Sequence, residues 1–123
     1  MGRIASTITL AAAALLLAAA AQAADKKYDE GASDTEIKLG QTMPYSGPLS
    51  IHGIQGRTEV AYFRMLNEEK GGINGRKINL ISLDDSYAPP KTVEQTRRLV
   101  ESDEVALIFS SIGTAHNTAI AKY

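Results

Sequence analysis

Three short stretches hold the residues best placed for chemistry. The first is Ser110-Ser111-Ile112-Gly113-Thr114-Ala115, a run of small residues between an apolar segment and a helical one. Gly113 permits close backbone approach, and the Thr114 hydroxyl can donate or accept. The backbone N–H groups of Ala115, His116 and Asn117 are expected to be unpaired at the helix start, where a carboxylate would be welcome. Thr114 could equally serve as the cap of its own helix. The second stretch is Pro44-Tyr45-Ser46-Gly47-Pro48. Here Tyr45 offers an apolar wall and Ser46 a hydroxyl, or the segment is an ordinary connection. The third is the doublet Asp84-Asp85. Two adjacent carboxylates suggest a metal or an acid–base pair, but no further acidic or histidine ligand is spaced for a metal. They read better as caps of the following turn and helix.

Other chemistries have weaker support. Ser46 or Ser110 with His52 or His116 allows a secreted hydrolase on paper, yet no G-x-S-x-G elbow is present. Gly53-Ile54-Gln55-Gly56 is not a G-x-G-x-x-G fingerprint, and no P-loop motif occurs. No catalytic residue, metal site or cofactor is assigned.

The elements that must position these residues follow from periodicity. Glu36–Gly40 alternates polar and apolar, as a strand does. From Gly53 to Lys70 the pattern is helical, with Ile54, Thr58, Ala61, Tyr62, Met65 and Leu66 on one face, predicted to point inward. Gly71-Gly72 stops that helix and Asn74-Gly75 signals a tight turn. Arg76–Leu83 reads as a second strand, apolar on both faces. Pro90 opens a second helix to Ser102, with Val93, Thr96, Leu99 and Val100 inward. Val105–Phe109 is a third, buried strand, and His116–Tyr123 begins a third helix. The order β-α-β-α-β-α predicts an α/β fold: a parallel sheet in three layers. In such sheets ligands bind beyond the carboxyl ends of the strands. The three loops leaving those ends, 42–52, 84–89 and 110–115, contain the residues singled out above.

Composition narrows the field. The chain has 123 residues, no cysteine and a formal net charge of -1. Disulfides and thiolate metal sites are excluded, and no basic patch suggests nucleic acid. Residues 1–23 form a secretory signal: Arg3 in a short n-region, an apolar run from Ile4 to Ala20, and cleavage after Ala21-Gln22-Ala23. The run is near the minimum length for a membrane span, but it is rich in alanine and ends at a cleavage site. With no cysteine there is no lipobox. Residues 24–35 are expected to be a flexible leader and 36–123 the folded part.

Several separated motifs resemble the leucine/isoleucine/valine-binding-protein family. They are Ile37-Lys38-Leu39-Gly40 followed by Pro44-Tyr45-Ser46-Gly47-Pro48; Asn67-Glu68-Glu69-Lys70-Gly71-Gly72-Ile73-Asn74-Gly75-Arg76-Lys77-Ile78; Leu83-Asp84-Asp85; Pro90-Lys91-Thr92-Val93; and Gly113-Thr114-Ala115. The resemblance covers Glu36 to Tyr123. It implies a type I periplasmic binding fold of two α/β lobes and no enzymatic activity. The implied role is the solute-binding component of an ABC importer for amino acids or related carboxylates and amides, working with an inner-membrane ABC permease. It also implies a periplasmic location. Ligand contacts carry over to Gly113, Thr114 and Ala115, and to Tyr45 and Ser46. Family members are several times longer, so 36–123 corresponds to part of the N-terminal lobe, ending inside the third helix. An extracytoplasmic sensor built on the same lobe is the alternative function.

Overall fold

A computed structural model describes residues 28–123. The expected signal segment and the start of the leader lie outside the described residues. Strand β1 runs Glu36–Met43, helix α1 Gly53–Lys70, strand β2 Lys77–Asp84, helix α2 Pro89–Glu101, strand β3 Leu107–Ile108 and helix α3 Thr114–Ile120. A single 3-10 turn, Ser50–His52, leads into α1. The strands are parallel in the order β2-β1-β3, as the alternating pattern required.

Strand β1 sits at the centre and is buried from Leu39 to Met43. Its side chains divide the core between two layers. A Cβ on Gly40 would meet Leu99 of α2 and Ile108 of β3. Gln41 and Met43 turn the other way, toward Gly56 of α1. Helix α1 therefore covers one face of the sheet and α2 the other, with α3 packed against α2.

Helix α1 has the expected bounds but the opposite orientation. Ile54, Tyr62 and Met65 are 62%, 54% and 43% exposed, and Thr58 and Ala61 are exposed with them. The inward face is instead Gly53, Gly56, Val60, Phe63 and Asn67, with Glu59 and Leu66 at its border. The glycines explain the inversion. A Cβ at Gly53 would crowd the Pro44 carbonyl, and one at Gly56 would strike Met43 and the Tyr45 hydroxyl. The helix lies so close to the end of β1 that only glycine fits beneath it. Asn67 faces inward because its amide bonds both main-chain groups of Ile78, at 2.7 and 2.9 Å.

Gly71 ends α1 in the left-handed conformation, its N–H bonded to Leu66 O, as the double glycine predicts. Asn74 and Gly75 both have positive φ, and Ile73 and Arg76 bond across them into β2. Helix α2 begins with two prolines and buries Thr92, Thr96 and Leu99. Thr92 takes the inward place expected for Val93 because its hydroxyl bonds the buried Asp85 carboxylate at 2.8 Å. Strand β3 is shorter than the expected Val105–Phe109, and of that segment only Val105 is buried, Leu107 being 52% exposed. Left-handed residues, Glu104 and Ser110, flank the segment and bend it. Ala106 N–H still bonds Lys38 O, and Phe109 N–H bonds Gly40 O. Helix α3 starts two residues earlier than expected and closes at Ile120. Within the expected leader, Gly31 O accepts from Lys38 N–H at 2.7 Å and Ala32 bridges to Ile37, so this part lies along β1.

Candidate functional site

The three loops at the carboxyl ends of the strands are bound together by side chains. Asp84, the last residue of β2, is the main tie. Its Oδ1 accepts the N–H groups of Tyr45 (2.9 Å), Ser46 (3.1 Å) and Ser86 (2.9 Å). Its Oδ2 accepts the Ser46 hydroxyl at 2.6 Å and the Lys91 ammonium at 3.2 Å. Partial burial pushes the Asp84 carboxyl up. The bonds from the Ser46 hydroxyl, Ser86 N–H, Lys91 and Ser46 N–H outweigh that and hold it well below the usual carboxylate range. Asp85 is fully buried and bonds Tyr87 N–H and the Thr92 hydroxyl. Both aspartates thus shape the 84–88 turn, as the doublet suggested. Asp84 does more, because it also fixes the loop after β1.

A second set of bonds reaches the loop after β3. The Tyr45 hydroxyl pairs with Ser82 Oγ at 2.5 Å, and Ser82 donates to Oε1 of the buried Gln41 at 2.7 Å. Gln41 Nε2 donates to Glu59 of α1. Glu59 Oε1 accepts the Ser110 hydroxyl at 2.8 Å, and Gln55 donates to Ser110 Oγ at 2.9 Å. Ser110 has a φ of 55°, so these bonds hold a backbone conformation that serine adopts rarely. Sequence patterns did not single out Gln41, Gln55 or Glu59. Gln41 sits at a core position of a strand and carried a detectable signal: a polar residue where an apolar one is the norm.

The residues expected to contact a ligand lie on this rim. Tyr45 is half-buried, with the Arg57 guanidinium 5.1 Å from its ring centroid. Ser46 is exposed, its hydroxyl engaged by Asp84 and Ser86. Gly113 is the N-cap of α3, with φ 106° and ψ 126°. Thr114 and Ala115 follow it, both exposed. Thr114 is therefore the first helical residue, and no side chain caps the helix. The Asn117 N–H, expected to be unpaired, bonds Gly113 O at 2.9 Å. Among the described residues neither Tyr45 nor Ser46 hydrogen-bonds Thr114 or Ala115. The two groups share the rim, and the loops that carry them are also joined by the Thr42 hydroxyl, which donates to Ser111 Oγ at 3.4 Å; Asn117 Nδ2 of α3 donates to Ser111 O at 3.1 Å.

Behind Gly113 lies His116, 3% exposed, with neither ring nitrogen bonded to a protein group. Its ring packs on Tyr87 with centroids 4.3 Å apart. A Cβ on Gly113 would collide with the imidazole. Neither Ser46 nor Ser110 bonds a histidine, so the described residues form no serine–histidine pair of the hydrolase kind.

A parallel sheet with helices on both faces and polar loops gathered beyond its strand ends is the architecture of a doubly wound α/β lobe. The family model for periplasmic binding proteins matches residues 36–123, and the chain belongs to that family, in its leucine/isoleucine/valine-binding branch. Among curated relatives, Leu/Ile/Val-binding protein homolog 7 of Brucella melitensis is 31% identical over 90 residues, covering 73% of this chain and 22% of the relative. A fatty acid ABC transporter substrate-binding protein from Thermomonospora curvata superposes with a TM-score of 0.67 at 26% identity, over 78% of this chain and 24% of that one. A solute-binding protein of an ABC transporter from Rhodopseudomonas palustris, solved with 3,4-dihydroxybenzoic acid, gives 0.61 at 25% identity, over 71% and 23%. The chain thus spans about a fifth of the length of the curated relatives it matches.

Proposed function

We propose that this chain supplies part of the N-terminal lobe of an exported solute-binding protein, which captures amino acids or related small carboxylates and amides for an ABC importer. The observation that carries the reading is the family match over 36–123, combined with the hydroxyl-lined rim at the strand ends. Gly113, Thr114 and Ala115 form the ligand-contacting loop, where the exposed Thr114 hydroxyl stands beside the first N–H groups of α3. Tyr45 and Ser46 form the adjoining wall, and Asp84 orients them. The role requires export, with residues 1–23 removed and the mature chain starting at Ala24; N-terminal sequencing of the periplasmic product tests that step.

The relatives' names and ligands include branched-chain amino acids, fatty acids and an aromatic acid. A carboxylate is common to all three, which supports the carboxylate end as the part read by this rim. The test grafts residues 36–123 into the matching segment of the Brucella melitensis homologue and titrates leucine, isoleucine and 3,4-dihydroxybenzoate by calorimetry. Thr114→Ala should weaken the bound solute roughly 10- to 150-fold, the value of a hydrogen bond to a charged group. A folded chimera whose affinity ignores Thr114→Ala would reject the assignment.

A further inference from the structure

Strand β2 is the outer strand of the sheet, and its main-chain groups alternate in direction. Lys77 N–H bonds Thr35 O, and Asp85 N–H bonds Met43 O, so the odd-numbered residues face β1. The even-numbered residues face outward. At Ile78 both outward groups are taken by the Asn67 amide, which donates to its carbonyl and accepts from its N–H. Asn67 makes there the pair of bonds that a residue of an added strand would make. Leu80 and Ser82, the next outward-facing positions, have no main-chain partner on that side among the described residues.

Helix α1 overhangs this edge and closes a groove of about 500 Å³. Val60, Ala61 and Leu80 line it with apolar groups, Tyr45 and Ser82 with hydroxyls, and Arg57 and Arg64 with positive charge. Among the described residues neither arginine pairs with a carboxylate; Arg57 rests on the Tyr45 ring. A second groove of about 430 Å³ continues along β2, sharing Val60, Arg64 and Leu80 and adding Lys77 and Glu68. Three cations against one carboxylate line the combined channel.

We propose that this edge docks an extended, acidic segment of a partner polypeptide, which adds as a strand at Leu80 and Ser82 while Arg57 and Arg64 bind its carboxylates. Open N–H and C=O groups set the register of such an addition, and the side chains above the edge select its sequence. Free guanidinium groups prefer carboxylates, which they can hold through two bonds. Arg57 and Arg64 are two helical turns apart, roughly 10 Å along the axis. That span equals about three residues of extended chain, so acidic residues two to four positions apart fit. A second copy of this chain fits poorly, since pairing β2 with β2 brings both arginine pairs onto one junction. The proposal does not depend on the solute-binding reading.

The probe is a labelled peptide of alternating Glu and Val, titrated into the chain and followed by anisotropy and by amide chemical shifts. Binding should weaken at least tenfold between low and high salt, and the largest shifts should fall at Leu80 and Ser82. The R57Q/R64Q double variant should weaken it at least tenfold with an unchanged circular dichroism spectrum. A Lys-Val peptide, or the Glu-Val peptide N-methylated on its pairing face, should not bind. Leu80→Pro, which removes an outward N–H that β1 does not use, should have the same effect. No binding, equal binding of the N-methylated peptide, or shifts that free glutamate reproduces would each overturn the proposal. Dimerisation through β2 in sedimentation, in place of peptide binding, would overturn it too.

Discussion

Ser46 and Asp84 are joined twice: the serine's N–H and hydroxyl donate to different oxygens of one carboxylate, at 3.1 and 2.6 Å. Through this double bond the loop after β1 is fixed to the end of β2. The bond requires a carboxylate, because both oxygens accept.

The first prediction concerns acid. Asp84 has a depressed carboxyl in the folded state, so it stabilises the fold fully above its unfolded value of about 3.8. That contribution is lost as the pH falls through the lower folded-state value. Melting temperature should therefore drop between pH 5 and pH 2 more steeply in the native chain than in Asp84→Asn. At pH 7 the variant should melt lower. Parallel pH profiles for the two proteins would show the Asp84 tie to be unimportant.

Glycine at position 56 is the second case. Gly→Ala inside a helix ordinarily stabilises by up to about 1 kcal/mol. Here the added methyl would strike Met43 and the Tyr45 hydroxyl. Gly56→Ala should instead destabilise by about 1–3 kcal/mol, the cost of overpacking. Urea titration decides the sign, and a stabilised variant would mean that α1 does not press on β1 as described.

Substitutions at α3 should separate two neighbours. Thr114→Ala should leave stability within about 0.5 kcal/mol, because the side chain is exposed and caps nothing. Gly113→Ala should destabilise by about 1–3 kcal/mol, since it combines a φ of 106° with a clash on His116. If Thr114→Ala were the costlier change in thermal melts, Thr114 would be the cap after all.

His116 supplies the fourth prediction. Neither ring nitrogen has a protein partner, so the imidazole gains little from being polar. His116→Phe keeps an aromatic ring against Tyr87 and removes two unpaired polar atoms. Stability should be unchanged or raised by up to about 1 kcal/mol. A clear loss in chemical denaturation would reveal that the ring nitrogens are bonded through water.

The layer order, the strand directions and the rim were legible in the sequence, because alternation and turn residues specify them locally. The face of α1 was not. Its apolar residues Ile54, Tyr62 and Met65 form a convincing stripe, yet they point outward. The true contact face has only Val60 and Phe63 as large apolar groups beside Gly53, Gly56 and Asn67, of which the glycines give little hydropathy signal and the asparagine argues against burial. The glycines act by lacking a side chain and Asn67 by bonding an open strand edge. The ties around Asp84 and Glu59 were equally hidden. They join residues far apart in sequence through side-chain reach, which periodicity does not encode. Thr114 was read as a possible cap from its residue type, but the loop turns at Gly113 and leaves it one position inside the helix.

The position of β1 affects how the chain is made. It is the middle of the sheet but, of the three described strands, the first in the chain. Its eight-residue partner β2 follows roughly 40 residues later, which at ribosomal rates is about 2–8 s. During that interval a strand destined to be buried on both sides has neither neighbour. The delay leaves the newly made segment open to capture by other molecules until β2 emerges to cover one of its edges.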